Sequence, residues 1–192
     1  MEDPISKFNQ WWSIAKNESP LKQKNAVCVS TVKEDGFPSG RFVDLKAVDE
    51  NGFKFCTHFD SNKGLEIARN PRVAMTIWWD HVGFQVRIIG LAAKIPVEES
   101  TRYWMERSRS ARIVALTSMQ SRELRSDSNL DDRIDAMTKL HEGHDIPKPE
   151  NWGGYVVSPV SIEFLTFKDT RLHVRELFSR VNDQWSTKRI QP

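Results

Sequence analysis

Apolar and polar residues alternate through most of the chain, which is the period of a half-buried β-strand. Residues typical of turns, above all Asp, Asn, Gly and Pro, separate the alternating segments. The pattern predicts seven or eight strands, drawn from the segments 25–32, 39–48, 53–59, 72–79, 84–95, 155–167, 171–180 and 184–190. Short strands joined by tight turns favour a barrel or a sandwich, so we expect a mainly β protein.

Helical signals interrupt the strands at a few places. Asp3 is a candidate N-cap with Pro4 at the first helical position, and Ser61 is a candidate cap for a short helix that Pro71 ends. Pro96 and the acidic residues behind it open another helix. The predicted helices cover 1–19, 61–71, 96–108 and one or two segments within 120–141. The expected class is therefore mainly β with flanking helices (α+β).

The length of the chain suits one domain. It has 192 residues, of which 39% are hydrophobic and 28% charged, so it can bury a core and is not of the disordered type. No linker or repeat divides it. We expect a single domain over 1–192, with an N-terminal helix over 1–19, a helical insertion over 97–145 and C-terminal strands over 152–192.

Charge, cysteine usage and hydropathy exclude several classes of protein. The net charge of +2 is too balanced for a dedicated nucleic-acid binder. Cys28 and Cys56 lie in apolar β-like segments without the spacing of metal ligands, so we interpret them as reduced core residues and expect no metal. No signal peptide is visible, and no apolar segment approaches the ~20 residues that span a membrane. We expect a cytoplasmic protein that contacts neither nucleic acid nor a membrane.

A row of basic residues near the C-terminus suggests an anionic ligand. Arg171, His173 and Arg175 occupy every second position, so a single strand would carry all three on one face with same-face neighbours ~7 Å apart. Like charges that close repel each other. The row therefore predicts that a negatively charged group lies opposite it. The alternative interpretation is that the three residues are ordinary surface charges in solvent.

Other polar residues lie where they could hold a phosphate or a polar ligand edge. Lys63 is early in a predicted helix, where backbone N–H groups and the helix dipole favour an anion. Arg41 and Lys46 have opposite parity on one strand, so they face different ways unless the strand bends between them. Gln85 lies among apolar residues and needs a partner, which can be backbone or ligand. Ser121 is either an N-cap or a ligand contact.

Eight short motifs in order resemble one family. They are GRFVDLK, FCTHFDSNKG, FQVRIIG, YWMERSRSARI, MQSRE, WGGYVVSPVSIEF, RLHVR and WSTKRIQP. Together they resemble the motifs of the pyridoxamine 5'-phosphate oxidase family of FMN enzymes, from about Ala26 to Pro192. Each motif is weak alone, but their order and spacing are specific.

The resemblance implies an FMN-binding split β-barrel of antiparallel Greek-key type, which forms a homodimer with FMN in the clefts between subunits. Carried over position by position, it implies that the FMN-binding positions are Arg41, Lys46, Cys56, Thr57, Asn62, Lys63, Gln85, Gln120, Ser121, Leu165 and Arg175. It implies that the substrate-binding positions are Lys46, Tyr103, Arg107, Ala111, Arg171 and His173.

The resemblance also implies a reaction. Pyridoxamine or pyridoxine 5'-phosphate gives a hydride to the flavin and becomes pyridoxal 5'-phosphate, and O2 then reoxidises the flavin and yields hydrogen peroxide. Arg171 and His173 would position this phosphorylated pyridine and manage its proton, which makes them the implied catalytic residues.

Four positions depart from the family motifs. Asn62 stands where an Arg contacts FMN, Ala111 where a Ser helps to hold the substrate phosphate, Leu165 where a Trp packs near the flavin, and Asp44 where the first motif has Leu. Two alternatives therefore stay open beside the pyridoxamine phosphate oxidase. One is a sibling FMN oxidoreductase with another substrate, such as a phenazine precursor. The other is a non-catalytic flavin-binding split barrel.

Overall fold

The computed structural model describes residues 3–124, 129–182 and 184–192. The strands in these residues are β1 (Ala26–Val32), β2 (Pro38–Asp49), β3 (Gly52–His58), β4 (Arg72–Trp79), β5 (Phe84–Lys94), β6 (Trp152–Thr166), β7 (Val174–Val181) and β8 (Gln184–Ile190). They pair in the order β3-β2-β1-β4-β5-β6-β7-β8, and β3 also pairs with β6. Every pairing is antiparallel. Six strands thus close into a barrel that β7 and β8 extend, and the split-barrel prediction is confirmed.

The helices lie around this sheet. They are α1 (Pro4–Glu18), α2 (Asn62–Arg69), α3 (Val97–Met105), α4 (Arg109–Thr117) and α5 (Leu130–Leu140). The predicted caps are confirmed, because the Asp3 carboxylate accepts from the Ser6 N–H at 2.8 Å and the Ser61 hydroxyl accepts from the Gly64 N–H at 3.4 Å. Within the described ranges, no helix is both long and apolar enough to cross a membrane.

The helix prediction within 120–141 was partly wrong. Ser121 caps no helix: it lies in a turn with φ of 71°, and Asn129 caps α5 by accepting from Asp131 and Asp132. A further helix, α4, was not predicted, although the Ser108 hydroxyl caps it at Ala111 N. The part of the prediction that falls on residues 125–128 lies outside the described residues.

The row Arg171-His173-Arg175 does not lie on one strand, and that prediction was wrong. Strand β7 begins only at Val174, so Arg175 alone of the three is part of it. Arg171 lies in the preceding turn with φ of 65°, and its N–H donates to the Lys168 carbonyl at 3.0 Å. Leu172 would face the core if the strand continued, but it is 72% exposed. Without an apolar partner to bury, this segment turns instead of joining the sheet.

Two hydrophobic clusters position the helices. The first fills the barrel and seats α1, where Phe8 is fully buried and packs edge-on against Phe53 at 4.8 Å between ring centroids. The second lies under α3 and α4, where Trp104 packs against Trp152 at 5.0 Å. Because Trp152 opens β6, this second cluster anchors the helical segment to the barrel beside β3.

Candidate functional site

A cleft of about 270 Å³ opens between strands β2 and β3, helix α4 and the turn after it. Polar residues line much of it, including five of the site residues that the sequence singled out. Its lining includes Asp44, Cys56, Thr57, His58, Lys63, Arg107 and Gln120. Residues far apart in the sequence therefore meet here, because β3 leads directly into α2 and α4 packs against the same edge.

Lys63 is a buried cation with neutral partners. Only 7% of its surface is exposed, and its ammonium donates to Gln120 Oε1 at 2.9 Å, Thr57 Oγ1 at 3.1 Å and Ser61 Oγ at 3.4 Å. Burial and, to a lesser extent, the nearby charge of Arg41 lower the pKa of Lys63 to about 8, against a smaller opposite effect of Glu66. The described residues contribute no carboxylate within salt-bridge distance of this ammonium. A buried, partly destabilised cation of this kind favours an anionic ligand.

Local structure fixes Lys63 in this place. Ser61 ends the turn after β3 and caps α2, so Lys63 lies in the first turn of that helix. Gly64 follows it, and a Cβ there would come within 2.2 Å of the Phe59 carbonyl oxygen. Only glycine lets the helix start pack this closely on the turn, which brings the positive end of the helix to the cleft.

Arg41 lies behind Lys63 and is anchored by Glu66. Its guanidinium donates to Glu66 Oε2 at 2.9 Å and to the Ser39 hydroxyl at 2.8 Å, and it also bonds the Thr31 hydroxyl. Glu66 is itself on α2 and almost fully buried. This ion pair therefore ties strand β2 to the helix that carries Lys63.

Lys46 lies beside the cleft residue Asp44 on β2, and its parity is opposite to that of Arg41. The register of β2 against β3 shifts between Leu45 and Ala47, so a bulge lies at Lys46. Its ammonium contacts Asp44 Oδ2 at 2.6 Å. Arg41 and Lys46 thus make ion pairs with different carboxylates. Cys56 lies nearby on β3 as a free, half-buried thiol whose pKa burial raises to about 12, so it is protonated and unreactive.

Arg107 and Tyr103 come from the segment of α3. Arg107 donates to the Ala111 carbonyl at 3.0 Å, and its guanidinium lies 5.4 Å from the centre of the Trp152 ring. Its Nε atom is buried without a partner in the described residues, and burial lowers its pKa. Tyr103 is buried, and its hydroxyl donates to Glu99 Oε1 at 3.1 Å. Glu99 in turn is held by Lys54 at 2.8 Å.

The remaining predicted residues form a second group. Gln85 on β5 pairs with Leu165 on β6, which pairs with Arg175 on β7, so the three side chains share one face of the sheet. Arg175 is held by Glu163, whose Oε1 accepts from Nε at 2.8 Å and from Nη2 at 2.6 Å. Gln85 is half-buried rather than fully buried, since this face is open to solvent.

Arg171 and His173 lie in the loop between β6 and β7, just before Arg175. Arg171 is exposed, whereas His173 is half-buried, with its ring 5.1 Å edge-on from Phe167. His173 Nδ1 accepts from the Lys168 N–H at 3.1 Å, which leaves Nε2 as the ring nitrogen pointing away from that contact. Both residues follow the end of β6, on the same side as Leu165 and Arg175.

The two groups lie at opposite ends of β6. Cys56 of the cleft pairs with Gly154 near the start of β6, and Gln85 and Arg175 flank Leu165, eleven residues further along. Eleven residues extend over roughly 35 Å of strand. One chain therefore brings Cys56, Thr57, Lys63, Arg107 and Gln120 together, but it does not bring them to Gln85 or Arg175. Asn62 and Ser121 are exposed, and each is the chain neighbour of a cleft residue, Lys63 and Gln120.

Sequence reasoning missed the acidic partners and one cleft residue. Glu66, Glu99 and Glu163 fix Arg41, Tyr103 and Arg175. The spacing of four residues between Glu99 and Tyr103 on the predicted helix could have shown that pair, whereas Glu66 and Glu163 lie 25 and 12 residues from partners on other elements. His58 lines the cleft with Nδ1 buried and unpartnered among the described residues, and burial lowers its pKa. The only available signal was its place between Thr57 and the helix cap.

Two family models match the chain. Residues 15–140 match the model described as pyridoxamine 5'-phosphate oxidase. Residues 152–192 match the model described as the pyridoxine 5'-phosphate oxidase C-terminal dimerisation region. The first match contains every residue that lines the cleft except Trp152, and the second contains Trp152, Leu165, Arg171, His173 and Arg175.

Curated relatives agree with these matches over the full length. A pyridoxine/pyridoxamine 5'-phosphate oxidase of Leptospira biflexa is 44% identical over 190 residues, which cover 99% of this chain and 89% of that protein. The protein of the same name from Thermosynechococcus vestitus is 41% identical over 191 residues, which cover 100% of this chain and 90% of that protein.

Solved structures show the same fold. PhzG from Burkholderia lata 383, in complex with tetrahydrophenazine-1-carboxylic acid, superposes with a TM-score of 0.93 at 28% identity and covers 100% of this chain and 94% of that one. A pyridoxamine 5'-phosphate oxidase-related, FMN-binding protein from Nostoc punctiforme has a TM-score of 0.81 at 17% identity, with full coverage of both chains. With the two family models and the full-length relatives, these matches show that the chain belongs to the pyridoxamine 5'-phosphate oxidase family.

Proposed function

We propose that the protein is an FMN-dependent oxidase that converts pyridoxamine or pyridoxine 5'-phosphate to pyridoxal 5'-phosphate with O2 and releases hydrogen peroxide. The observation that carries this proposal is Lys63, a buried ammonium whose partners in the described residues are neutral oxygens at the start of a helix. A phosphate group would supply the missing negative charge. The names of the full-length relatives support the choice of reaction.

The residues at the Lys63 end fit the phosphate of FMN. Lys63 would donate to it as a point charge, and Arg41 has guanidinium N–H groups beyond those that bind Glu66. Thr57, Ser61 and Gln120 already gather around the ammonium and would hold the same group by hydrogen bonds. Charge-assisted hydrogen bonds of this type are about twice as strong as neutral ones.

A complete site would need a second copy of the chain. Gln85 and Arg175 lie too far along β6 to reach the cleft of their own chain, so a partner would supply them in a homodimer. The outward face between the two groups carries exposed apolar side chains, with Phe42 74% and Trp78 64% exposed. Phe42 also lines the cleft. Such a face is typical of an interface, and the match to a dimerisation region supports this assembly.

The protein's residues would bind and orient the substrate while the flavin, when bound, accepts the hydride and passes electrons to O2. Arg107, which lines the cleft, and Lys46, which contacts the cleft residue Asp44, would attract the substrate phosphate, and Tyr103 lies on the preceding helix α3. Arg171 and His173 would close on the pyridine from the partner subunit. With Nδ1 held by the Lys168 N–H, His173 would use Nε2 to take or return the proton of the substrate.

Anaerobic reduction of the bound flavin tests this proposal. We expect the purified protein to be yellow and its flavin to bleach when pyridoxamine 5'-phosphate is added without oxygen. Readmission of oxygen should restore the colour and yield hydrogen peroxide. A yellow protein that pyridoxamine and pyridoxine 5'-phosphate both fail to bleach would overturn the reaction but not the cofactor.

A sibling oxidase is the second candidate. It is favoured by the superposition on PhzG, whose structure contains tetrahydrophenazine-1-carboxylic acid, and by Ala111 and Leu165, which depart from the family motifs. Such an enzyme would oxidise a reduced aromatic carboxylic acid in the same cleft. Bleaching by a dihydro- or tetrahydrophenazine carboxylic acid, but not by pyridoxamine 5'-phosphate, would select this candidate.

A further inference from the structure

The substrate end of the cleft differs in charge from the Lys63 end. At the Lys63 end the cation is buried and its hydrogen-bond acceptors are neutral. At the substrate end Lys46 contacts the Asp44 carboxylate at 2.6 Å. A ligand anion at the substrate end therefore meets a cation that is already paired.

Asp44 is placed to act on the ligand and not only on Lys46. It lines the cleft together with Arg107, and its charge raises the pKa of both Cys56 and Arg107. It is two residues from Lys46 on β2, next to the bulge, so both side chains emerge beside each other. Their side chains are 49% and 22% exposed, and an ion pair this exposed adds little to stability. The fold therefore has little need of Asp44 at this position.

The other donors at this end are also weakened. The Tyr103 hydroxyl donates to Glu99, which is a second carboxylate in this region. Ala111 offers no side-chain donor, and its carbonyl occupies one N–H of Arg107. Glu99 is itself paired with Lys54, so Asp44 is the carboxylate that lines the cleft beside Arg107. A phosphate dianion at this end would therefore meet the charge of Asp44.

We propose that Asp44 lowers the preference of the cleft for a phosphate dianion, so that the cleft also accepts an aromatic substrate with one carboxylate or with no anionic group. The inference rests on the proposed function, because it assigns this end of the cleft to the substrate. It makes Asp44 a specificity-determining residue that sets how strongly the substrate phosphate contributes to binding.

The test compares one ligand with and without its phosphate. Binding of pyridoxine 5'-phosphate and of pyridoxine to the flavin-loaded protein is measured by equilibrium dialysis, and anaerobic flavin reduction by the same pair gives KM and kcat. The variants are Asp44→Asn and Asp44→Leu, with Asp44→Glu as the conservative replacement. Glu98→Gln serves as the control, since it removes one carboxylate from an exposed position of α3 outside the cleft.

We expect Asp44→Asn and Asp44→Leu to raise the ratio of the two affinities about tenfold in favour of the phosphorylated ligand, because a like charge beside the dianion is removed. The change should appear in KM rather than kcat, and it should shrink at high salt. Asp44→Glu and Glu98→Gln should keep the wild-type ratio.

An unchanged ratio in both Asp44→Asn and Asp44→Leu would overturn the proposal. A ratio that rises equally in Glu98→Gln would also overturn it, since the effect would then come from net charge alone. If the affinity ratio shifts but neither ligand ever reduces the flavin, the role of Asp44 is supported and the proposed reaction fails. The dialysis and the reduction experiments therefore separate the two claims.

Discussion

The cleft at Lys63 and the cross-strand row of Gln85, Leu165 and Arg175 are built in different ways. Local structure builds the cleft: the turn after β3, the Ser61 cap and the close packing of Gly64 hold Lys63 within one chain. The row lies on an open sheet face, where Glu163 holds Arg175. The comparison teaches that a single chain preorganises the part of the site proposed for the phosphate, whereas the other part would come from a second copy in the proposed dimer.

Breaking the proposed interface should have the largest effect. Trp78→Lys places a charge on the exposed apolar face that would join the row to the partner's cleft, since Trp78 pairs with Gln85. We expect monomers that lose flavin almost completely, because half of the ligand contacts leave together. Light scattering and the flavin absorbance of the purified protein measure both effects.

Leu21→Lys is the matched control, because Leu21 is also exposed, at 58%, but lies in the loop after α1. It should remain dimeric and yellow. A flavin-loaded monomer of Trp78→Lys would show instead that one chain binds the cofactor without the partner's row.

The second prediction divides the residues near β7 by function. Arg175→Ala should release flavin, since it removes a guanidinium that is fixed in the row. Arg171→Ala should leave the protein yellow but slow oxidation of pyridoxamine 5'-phosphate by about 10²-fold or more, because substrate positioning is lost. His173→Ala should be milder, at about 10²-fold, since water can replace part of its acid–base role.

Flavin content and single-turnover flavin reduction distinguish the three variants. If Arg171→Ala loses flavin as readily as Arg175→Ala, the loop and the strand act as one cofactor clamp. The structure supports separate roles for Arg171 and Arg175, because Arg171 lies in a turn whereas Arg175 lies in strand β7.

The third prediction concerns the cleft alone. Lys63→Ala removes the central cation, and the loss of one charge-assisted contact costs ~1.5–3 kcal/mol. FMN affinity should therefore fall roughly tenfold or more, while the dimer persists because Lys63 is buried and is not one of the exposed apolar side chains. Titration of the flavin-free protein with FMN measures the change. Lys33→Ala, which removes an exposed lysine from the β1–β2 hairpin, should bind FMN like the wild type.

The sequence predicted these two regions unequally well. Where apolar alternation had a core to face, the strand bounds were accurate: β4 runs over the predicted residues, and β5 ends one residue before its predicted end. The helix caps Asp3 and Ser61 were also found, because capping depends on local residue types. The cleft around Lys63 follows from such local signals together with the family motifs.

The same reasoning failed where alternating residues had no neighbouring strand. Arg171, His173 and Arg175 alternate with Leu172 and Val174, but β6 ends at Thr166 opposite Val174. Leu172 is therefore exposed, and the segment turns at Arg171 instead of extending β7. The acidic partners Glu66 and Glu163 were also beyond reach, since their pairing depends on which strands and helices become neighbours. The charge balance at each end of the cleft therefore required the structure.

The smallest expected effect is the pH dependence of FMN binding, which also tests the contrast between the two regions. Burial holds the pKa of Lys63 at about 8 in the flavin-free protein. The dianionic phosphate favours the protonated ammonium, so binding of FMN raises the pKa of Lys63. As the pH rises through the pKa of the flavin-free protein, Lys63 loses its proton there, and the affinity for FMN must fall. With a pKa of about 8, FMN affinity should fall about fourfold between roughly pH 7 and pH 8.5. The dissociation constant from flavin fluorescence at each pH measures this decline.

In Lys63→Ala the decline of affinity with pH should disappear, whereas Arg175→Ala should keep the decline in whatever affinity remains. A decline that persists without Lys63 would move the titrating group to another part of the site.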